Sequence, residues 1–562
     1  NASRFADDRD VVLVGYRGVD GSVRLDCPEV VSAMKRAGDV LSERAIDARM
    51  DAFAECADRL RDDGVDLAGY TLPQRVDDLE AARRALGYGR IDLLSESAGT
   101  RTAMIYAWRH PESIHRSAMI AVNPPGHFLW DPETADEQLR RYAELCERDD
   151  ACGPRTDDLA ATLRPTAADV PDRWWFLPIN EGSVRAGSFW GLMESRSNVP
   201  LSAPMTIDTW LSAAGGDASG LWFLSLGADF MFPTAQVWGD VAAVARVDAS
   251  AARRYFASAA HRPGSSFAAA ANEFVWGGGR LLDSWPANAG DDAYSRVRTS
   301  DVETLLVGGE LDFATPPAAA TEELLPRLPN GRQVVLEELG HTTDFWTYRP
   351  DASSRLLNTF FASGKVDNSL YRPPTVDFAP SATHTTLAKG FVAAMVGLAL
   401  AAVVWLLLMT RRVRRRGGYG RKASAALRSL SPVVLGLGGW FLAALVVLTA
   451  ELRVPLDDEL LAPLSVGIPV GLGLYLAWVN RDWSAWTKTV GFAGAVGSAL
   501  VGAWLGFNAT EGLVALLTAI VGAAVGGNLV LLVLDIAWDR QARDRFVEPT
   551  AKETLEARPS TP

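Results

Sequence analysis

Two hydropathy textures divide the chain. Up to about residue 363, short apolar runs of four or five residues alternate with amphipathic, charged stretches. Beyond residue 387, apolar runs of about twenty follow one another with charges only between them. In the first part, Val11-Val12-Leu13-Val14, Ile91-Asp92-Leu93-Leu94, Thr304-Leu305-Leu306-Val307 and Gln333-Val334-Val335-Leu336 read as strands. The stretch after Gly99, running to Trp108, reads as a helix. Strands alternating with helices predict an α/β architecture around a parallel sheet. Residues 126–298 interrupt that alternation. They are helical, irregular and rich in tryptophan (Trp130, Trp174, Trp175, Trp190, Trp210, Trp222, Trp238, Trp276) and read as a helical insertion, most of whose aromatics form its own core.

After Phe361 a polar linker, 364–387, carries Arg372-Pro373-Pro374 and Ala379-Pro380. Five charge-free runs follow, at 390–410, 429–450, 460–480, 489–510 and 512–534. Each is about the 20 residues that cross a bilayer as a helix, so 388–538 reads as five transmembrane helices and 539–562 as a tail. The first connection holds Arg411, Arg412, Arg414, Arg415, Arg416, Arg421 and Lys422 with no acid. The second holds Glu451, Asp457, Asp458 and Glu459 against Arg453; the third Arg481 and Lys488; the fourth Glu511; the tail Arg540, Arg543 and Arg545. Basic residues on alternate connections place the N-terminal part outside and the C-terminus in the cytoplasm. Small residues recur every four positions at Gly494, Ser498, Gly502 and Gly506, and again at Gly522 and Gly526. Such faces predict close helix packing in lipid, including with a membrane-protein partner. The runs hold no interior Asp, Glu, Lys, Arg or His, which disfavours ion-coupled transport and favours a packed anchor or a partner-binding module.

The chemistry concentrates at Ser95-Glu96-Ser97-Ala98-Gly99. Strand, sharp turn and helix with a serine at the apex are the context of a nucleophile elbow, although its first position here is Ser rather than Gly. Asp312 ends the strand run at 304–307 and His341 follows the run at 333–336. Serine, acid and histidine thus come in the chain order of an α/β hydrolase, each just past a strand's C-terminal end. In that arrangement Ser97 attacks a carbonyl, His341 takes its proton and Asp312 fixes the imidazole tautomer. The other histidines (His110, His115, His127, His261 and His384) sit in helix-ending, loop or linker contexts that read as structural. Asp301 and Asp344 are the rival acids.

The four cysteines all precede residue 153. Cys146 and Cys152 close a short loop and Cys27 and Cys56 remain to pair, which predicts two disulfides and an oxidising compartment. No histidine shares their spacing, so no metal site is expected. A net charge of −13 disfavours nucleic-acid binding by bulk electrostatics.

Several stretches together resemble the proline iminopeptidase and tripeptidyl aminopeptidase branch of the α/β hydrolases. They are Tyr16-Arg17-Gly18-Val19-Asp20-Gly21-Ser22, Leu25-Asp26-Cys27-Pro28-Glu29, Asp77-Asp78-Leu79-Glu80-Ala81-Ala82-Arg83, the elbow, Gly309-Glu310-Leu311-Asp312-Phe313-Ala314-Thr315-Pro316 and Gly340-His341. The resemblance spans residues 11 to about 363. It implies a hydrolase core at 1–125 and 299–363, a cap or lid at 126–298, and Ser97, Asp312 and His341 as a triad. It also implies the Ala98 N–H as one oxyanion donor, and cap carboxylates, here Glu194 and Glu273, that hold the free amine of a substrate. The sequence departs from the family's pattern at Gly15, where an Asp is usual. It also lacks the two earlier strands and the His-Gly-Gly-Pro loop that would supply a second oxyanion donor, so the chain reads as a fragment or as one with a misplaced start.

The reading is a membrane-anchored, extracytoplasmic serine hydrolase without cofactor, acting on small peptides near a free N-terminus through an acyl-enzyme. An esterase or lipase acting on cell-envelope or lipid esters is the alternative within enzymes, since a triad does not separate ester from amide. A non-catalytic, ligand-binding membrane protein is the alternative of another class.

Overall fold

The computed structural model describes all residues except 1, 7–8, 22, 197–200, 259–266, 289, 451, 453, 511 and 557–562, and describes no side chain at 2, at 513 or from 541 onward. Ser22, His261, Glu451, Arg453 and Glu511, together with the side chains of Arg543 and Arg545, therefore lie outside what is described. The chain divides into two compact units, residues 1–388 and 389–562.

Among the described residues six strands lie in the first unit: β1 (Ile91–Glu96), β2 (Ile114–Ile120), β3 (Arg173–Trp174), β4 (Leu177–Pro178), β5 (Glu303–Gly309) and β6 (Gly331–Leu336). Four of them form one parallel sheet in the order β1-β2-β5-β6. The apolar runs explain this: Ala118, Ile120, Leu305, Leu306 and Val307 are buried from both faces, as only a sheet covered by helices allows. On one face Leu356, Leu357, Phe360 and Phe361 of the helix Pro350–Ser363 pack against Ala118, Leu305 and Val334. Other clusters join Ile105 and Tyr106 of the helix Gly99–Arg109 to Ile114, and Met104 of that helix to Met119 and Leu306. At the β2–β5 junction Arg116 stands opposite Glu303 in register and pairs with it at 2.7 Å.

The run at 11–14 is not a strand. It is irregular and exposed, with Leu13 at 85%. Among the described residues β1 occupies the sheet edge and no strand lies beside 11–14 to satisfy its backbone, so its apolar pattern alone does not make it one. The N-terminal helices Pro28–Lys35 and Glu43–Asp62 belong to a different core from the sheet. Val30, Met34, Ile46, Met50 and Phe53 pack with Trp238, Phe274, Trp276 and Trp285 of the insertion. Cys27–Cys56 ties these two helices together and Cys146–Cys152 closes the end of the helix Pro132–Arg148.

Most insertion tryptophans are core residues: Trp210, Trp222, Trp276 and Trp238 are buried, whereas Trp175 at the tip of the β3–β4 hairpin is 73% exposed. The segment 364–387 is less a free linker than its composition predicts. Val376 and Phe378 are buried, and the Tyr371 hydroxyl donates to the Glu337 carbonyl at 2.7 Å.

The second unit holds helices long and apolar enough to cross a membrane. With the helix that leads into it, the five candidate spans are His384–Arg416, Arg421–Thr449, Leu461–Trp478, Ala485–Phe507 and Val514–Arg540. The first helix runs on through its arginines and stops at Gly417 and Gly418, both at positive φ, because straight-chain basic residues continue a helix and glycine ends it. The last continues to Glu556, well into the expected tail. The small-residue faces of the fourth and fifth helices are taken up inside the chain rather than offered to a partner. A Cβ at Gly502 would fall on the Gly522 carbonyl, one at Gly506 on that of Thr518, and one at Gly526 on that of Ser498. Backbones touch there, which is what such residues permit.

Candidate active site

Ser97 sits where β1 turns into the helix Gly99–Arg109. Its φ is 48°, the left-handed region, a conformation that costs a non-glycine residue on the order of 1 kcal/mol and persists only when surroundings enforce it. Three bonds enforce it here. The Ser97 N–H donates to the Ile120 carbonyl at 2.9 Å. The Ser97 carbonyl accepts the Thr100 N–H at 3.0 Å and the Thr100 hydroxyl at 2.6 Å. Ser95, in the place of the usual glycine, fits, with its hydroxyl buried and without a partner among the described residues.

His341 and Asp312 reach this apex from the far half of the sheet. His341 Nε2 lies 2.9 Å from Ser97 Oγ, and His341 Nδ1 lies 2.7 Å from Asp312 Oδ2. Asp312 is fully buried in the turn after β5. Its Oδ1 accepts the N–H groups of Ala314 and Thr315 at 3.0 and 2.9 Å, and its Oδ2 accepts the Thr315 hydroxyl at 2.7 Å. Burial pushes the Asp312 carboxyl up, but the imidazole beside it and the Thr315 bonds outweigh burial and hold it below the usual range. Burial likewise pulls His341 down, yet the charge and bond of Asp312, then the charges of Glu194 and Glu96, leave its pKa raised. The geometry is that of a hydroxyl whose proton can pass to an imidazole oriented by a buried carboxylate. Ala98 follows at the helix N-cap, where a helix leaves N–H groups without intrahelical acceptors.

Of the rival acids, Asp301 is exposed in a loop. Asp344 is buried but accepts from Ser195 and Gly340. Three histidines stand beside carboxylates elsewhere: His110 near Asp77, His115 near Asp92 and His127 near Glu323. His384, read from sequence as a linker residue, is buried with Nδ1 2.9 Å from the Thr209 hydroxyl.

The candidate amine-binding carboxylates differ in their surroundings. Glu194 is buried, and its two oxygens accept the N–H groups of Thr343 and Asp344 at 3.1 and 3.0 Å. Both oxygens accept from backbone. Glu273, on the helix Phe267–Trp276, lies near the buried Arg49 and Gly278. Sequence reasoning missed Glu194's partners because no local pattern ties a cap residue to a loop 149 and 150 residues away. It also missed Arg101, one helical turn past Ser97. Its guanidinium forms a buried pair with Asp248 of the insertion at 2.6 Å and donates to Asn123 Oδ1 at 2.9 Å. A cleft of about 130 Å³ is lined in part by Trp130 and Phe313–Thr315, next to the Asp312 turn.

A parallel sheet with a strained serine after β1, an acid after β5 and a histidine after β6 decides the architecture. The fold is that of an α/β hydrolase. Residues 276–371 of the chain match the family described as TAP-like protein. The chain is 28% identical over 212 residues to the tripeptidyl aminopeptidases of Streptomyces lividans and Streptomyces coelicolor, covering 36% of this chain and 38% of each relative. It thus spans well under half the length of the curated relatives it matches. Among solved α/β hydrolases it is similar to a proline iminopeptidase-related protein from Thermus thermophilus. That match has 20% identity, a TM-score of 0.23, and covers 53% of this chain and 72% of that one. It is also similar to a thermophilic esterase from Thermogutta terrifontis, with 13% identity, a TM-score of 0.23, and 52% and 72% covered.

Proposed function

We propose that this protein is a membrane-anchored serine hydrolase of aminopeptidase type. Ser97 is the nucleophile, His341 the general base and acid, Asp312 the orienting carboxylate and the Ala98 N–H an oxyanion donor. The observation that carries the reading is the continuous chain Ser97 Oγ–His341 Nε2 and His341 Nδ1–Asp312 Oδ2 at 2.9 and 2.7 Å, on a serine held at positive φ. In the reaction Ser97 Oγ adds to the scissile carbonyl as its proton passes to His341 Nε2. The imidazolium then protonates the leaving amine, and water, activated by the same imidazole, releases the acyl group. The likeness to tripeptidyl aminopeptidases supports peptides with a free N-terminus as substrates.

The hydrolase unit lies outside the cytoplasmic membrane in this reading and the C-terminus inside. Two disulfides in the first unit and arginines clustered on alternate connections between the spans support it. The test is turnover of aminoacyl-arylamides beside p-nitrophenyl esters, by the full chain and by Ser97→Ala. Arylamide turnover that needs a free N-terminus and vanishes in Ser97→Ala is the expected result. Ester turnover alone moves the assignment to an esterase, and silence toward both by folded protein refutes catalysis.

A further inference from the structure

The loop that carries His341 is held from the cap as well as from the sheet. Three consecutive cap residues reach across it, just beyond the helix Glu181–Gly191. The Met193 carbonyl accepts the His341 N–H at 2.8 Å. Glu194 accepts the N–H groups of Thr343 and Asp344, in the first turn of the helix Thr342–Thr347. The Ser195 N–H and hydroxyl both donate to Asp344 Oδ2, at 2.6 and 2.7 Å, and the same oxygen accepts the Gly340 N–H at 3.0 Å. Every residue from 340 to 344 except Thr342 is therefore tied to 193–195, directly or through Asp344. The approach is close enough to exclude a side chain at position 340. A Cβ there would lie 2.5 Å from the Met193 carbonyl and 2.7 Å from the Ser195 nitrogen.

A carboxylate as buried as Glu194 is costly unless its oxygens are satisfied. Two backbone N–H groups satisfy them, and they belong to the loop that carries the histidine. Burial and the neighbouring charge of Asp344 push the Glu194 carboxyl up, and its backbone bonds oppose this. The geometry points to a positioning role. We propose that Met193-Glu194-Ser195 is a clamp that sets the place of the His341 imidazole against Ser97, with Glu194 acting through the N–H groups of Thr343 and Asp344 and never touching substrate. The clamp rests on the reading of Ser97, His341 and Asp312 as catalytic. It makes the cap part of the catalytic framework as well as a cover over the site.

The test uses the full chain in detergent and a fluorophosphonate probe, which reacts with Ser97 and needs no known substrate. Each labelling trace gives two numbers. The amplitude reports the folded fraction and the rate constant reports the site. Glu194→Gln is expected to lower the rate constant about ten- to a hundredfold, the scale of an ångström-sized misplacement of a catalytic group. It also moves the acid limb of the pH–rate profile to lower pH, because one carboxylate charge that raises the His341 pKa is gone while Asp312 and Glu96 remain. Glu194→Asp keeps the charge but is one methylene short, so its rate falls and its limb stays. A merely structural role moves amplitude alone. If Glu194→Gln does not fold, Ser195→Ala, which removes one donor to Asp344, decides by the same rate constant. Unchanged rate constants and an unmoved limb overturn the clamp. A folded wild-type chain that takes no label overturns the serine-hydrolase reading itself and the clamp with it.

Discussion

Replacing Arg101 by methionine is the sharpest test of how the serine turn is joined to the cap. The Arg101 side chain is 6% exposed and that of Asp248 is fully buried, with 2.6 Å between charged atoms. Asp248 also accepts the Gly126 and Phe128 N–H groups at 2.7 and 2.9 Å, at the point where the chain leaves the sheet for the insertion. Arg101→Met leaves a buried carboxylate with two amides but no counter-charge, and breaking a buried pair in this way costs about 3–5 kcal/mol. That is a large share of the 5–15 kcal/mol or so that holds an ordinary domain folded. Asp248→Asn keeps a neutral acceptor for one amide but strands the buried Arg101 guanidinium, so it too costs about 3–5 kcal/mol. The double variant removes the stranded charge, so it is more stable than Arg101→Met alone. The assay is chemical unfolding of the full chain in detergent, followed by tryptophan emission from the cap. Trp130, packed on Phe189 at 4.7 Å, and the buried Trp276 make that emission sensitive to cap loosening. An Arg101→Met stability within about 0.5 kcal/mol of wild type, or single losses that simply add in the double variant, would refute the reasoning.

Three further outcomes follow from the same structure. His341 must be neutral to accept the Ser97 proton and its pKa is raised, so labelling climbs with pH through a midpoint above that of an ordinary histidine; a rate that is flat from about pH 5 to 9 removes His341 from the step. Serine pairs at Cys27 and Cys56, separated by 29 residues, cost about 3.6 kcal/mol in the chain-entropy account, against about 2.2 kcal/mol for Cys146 and Cys152, separated by 6; urea midpoints in the reverse order contradict it. Gly502→Leu drives a side chain into the Gly522 backbone and separates the fourth and fifth helices, which lowers the thermal midpoint of the membrane unit; Gly497→Leu, where nothing lies within 4 Å of the added carbon, leaves it unchanged, and equal effects of the two sink the packing argument.

The elements visible in the sequence were those whose signal is local. The elbow shows because a strand, small residues and a helix adjoin within ten positions, and the spans show because twenty apolar residues need no partner to be recognised. The run at 11–14 misleads for the complementary reason: strand character depends on a neighbour, and the pattern of Val11, Val12 and Leu13 says nothing of whether one is present. The small-residue stripes were legible as packing faces, but their mate, the next helix of the same chain, is a tertiary fact. Glu194 is the clearest case. A cap glutamate near a hydrolase site reads as an amine anchor by analogy, and only the folded chain reveals two backbone amides on its oxygens.

Ser97 and His341 lie 244 residues apart in the chain. At a synthesis rate of about 5–20 residues per second, the histidine emerges roughly 12–49 s after the serine. Throughout that interval the hydroxyl has no base and is as unreactive as any other serine. In the proposed reading the chain thus carries its nucleophile unarmed while it is being made. Arming waits for the insertion and the second half of the sheet to arrive, so the order of residues itself provides a delay.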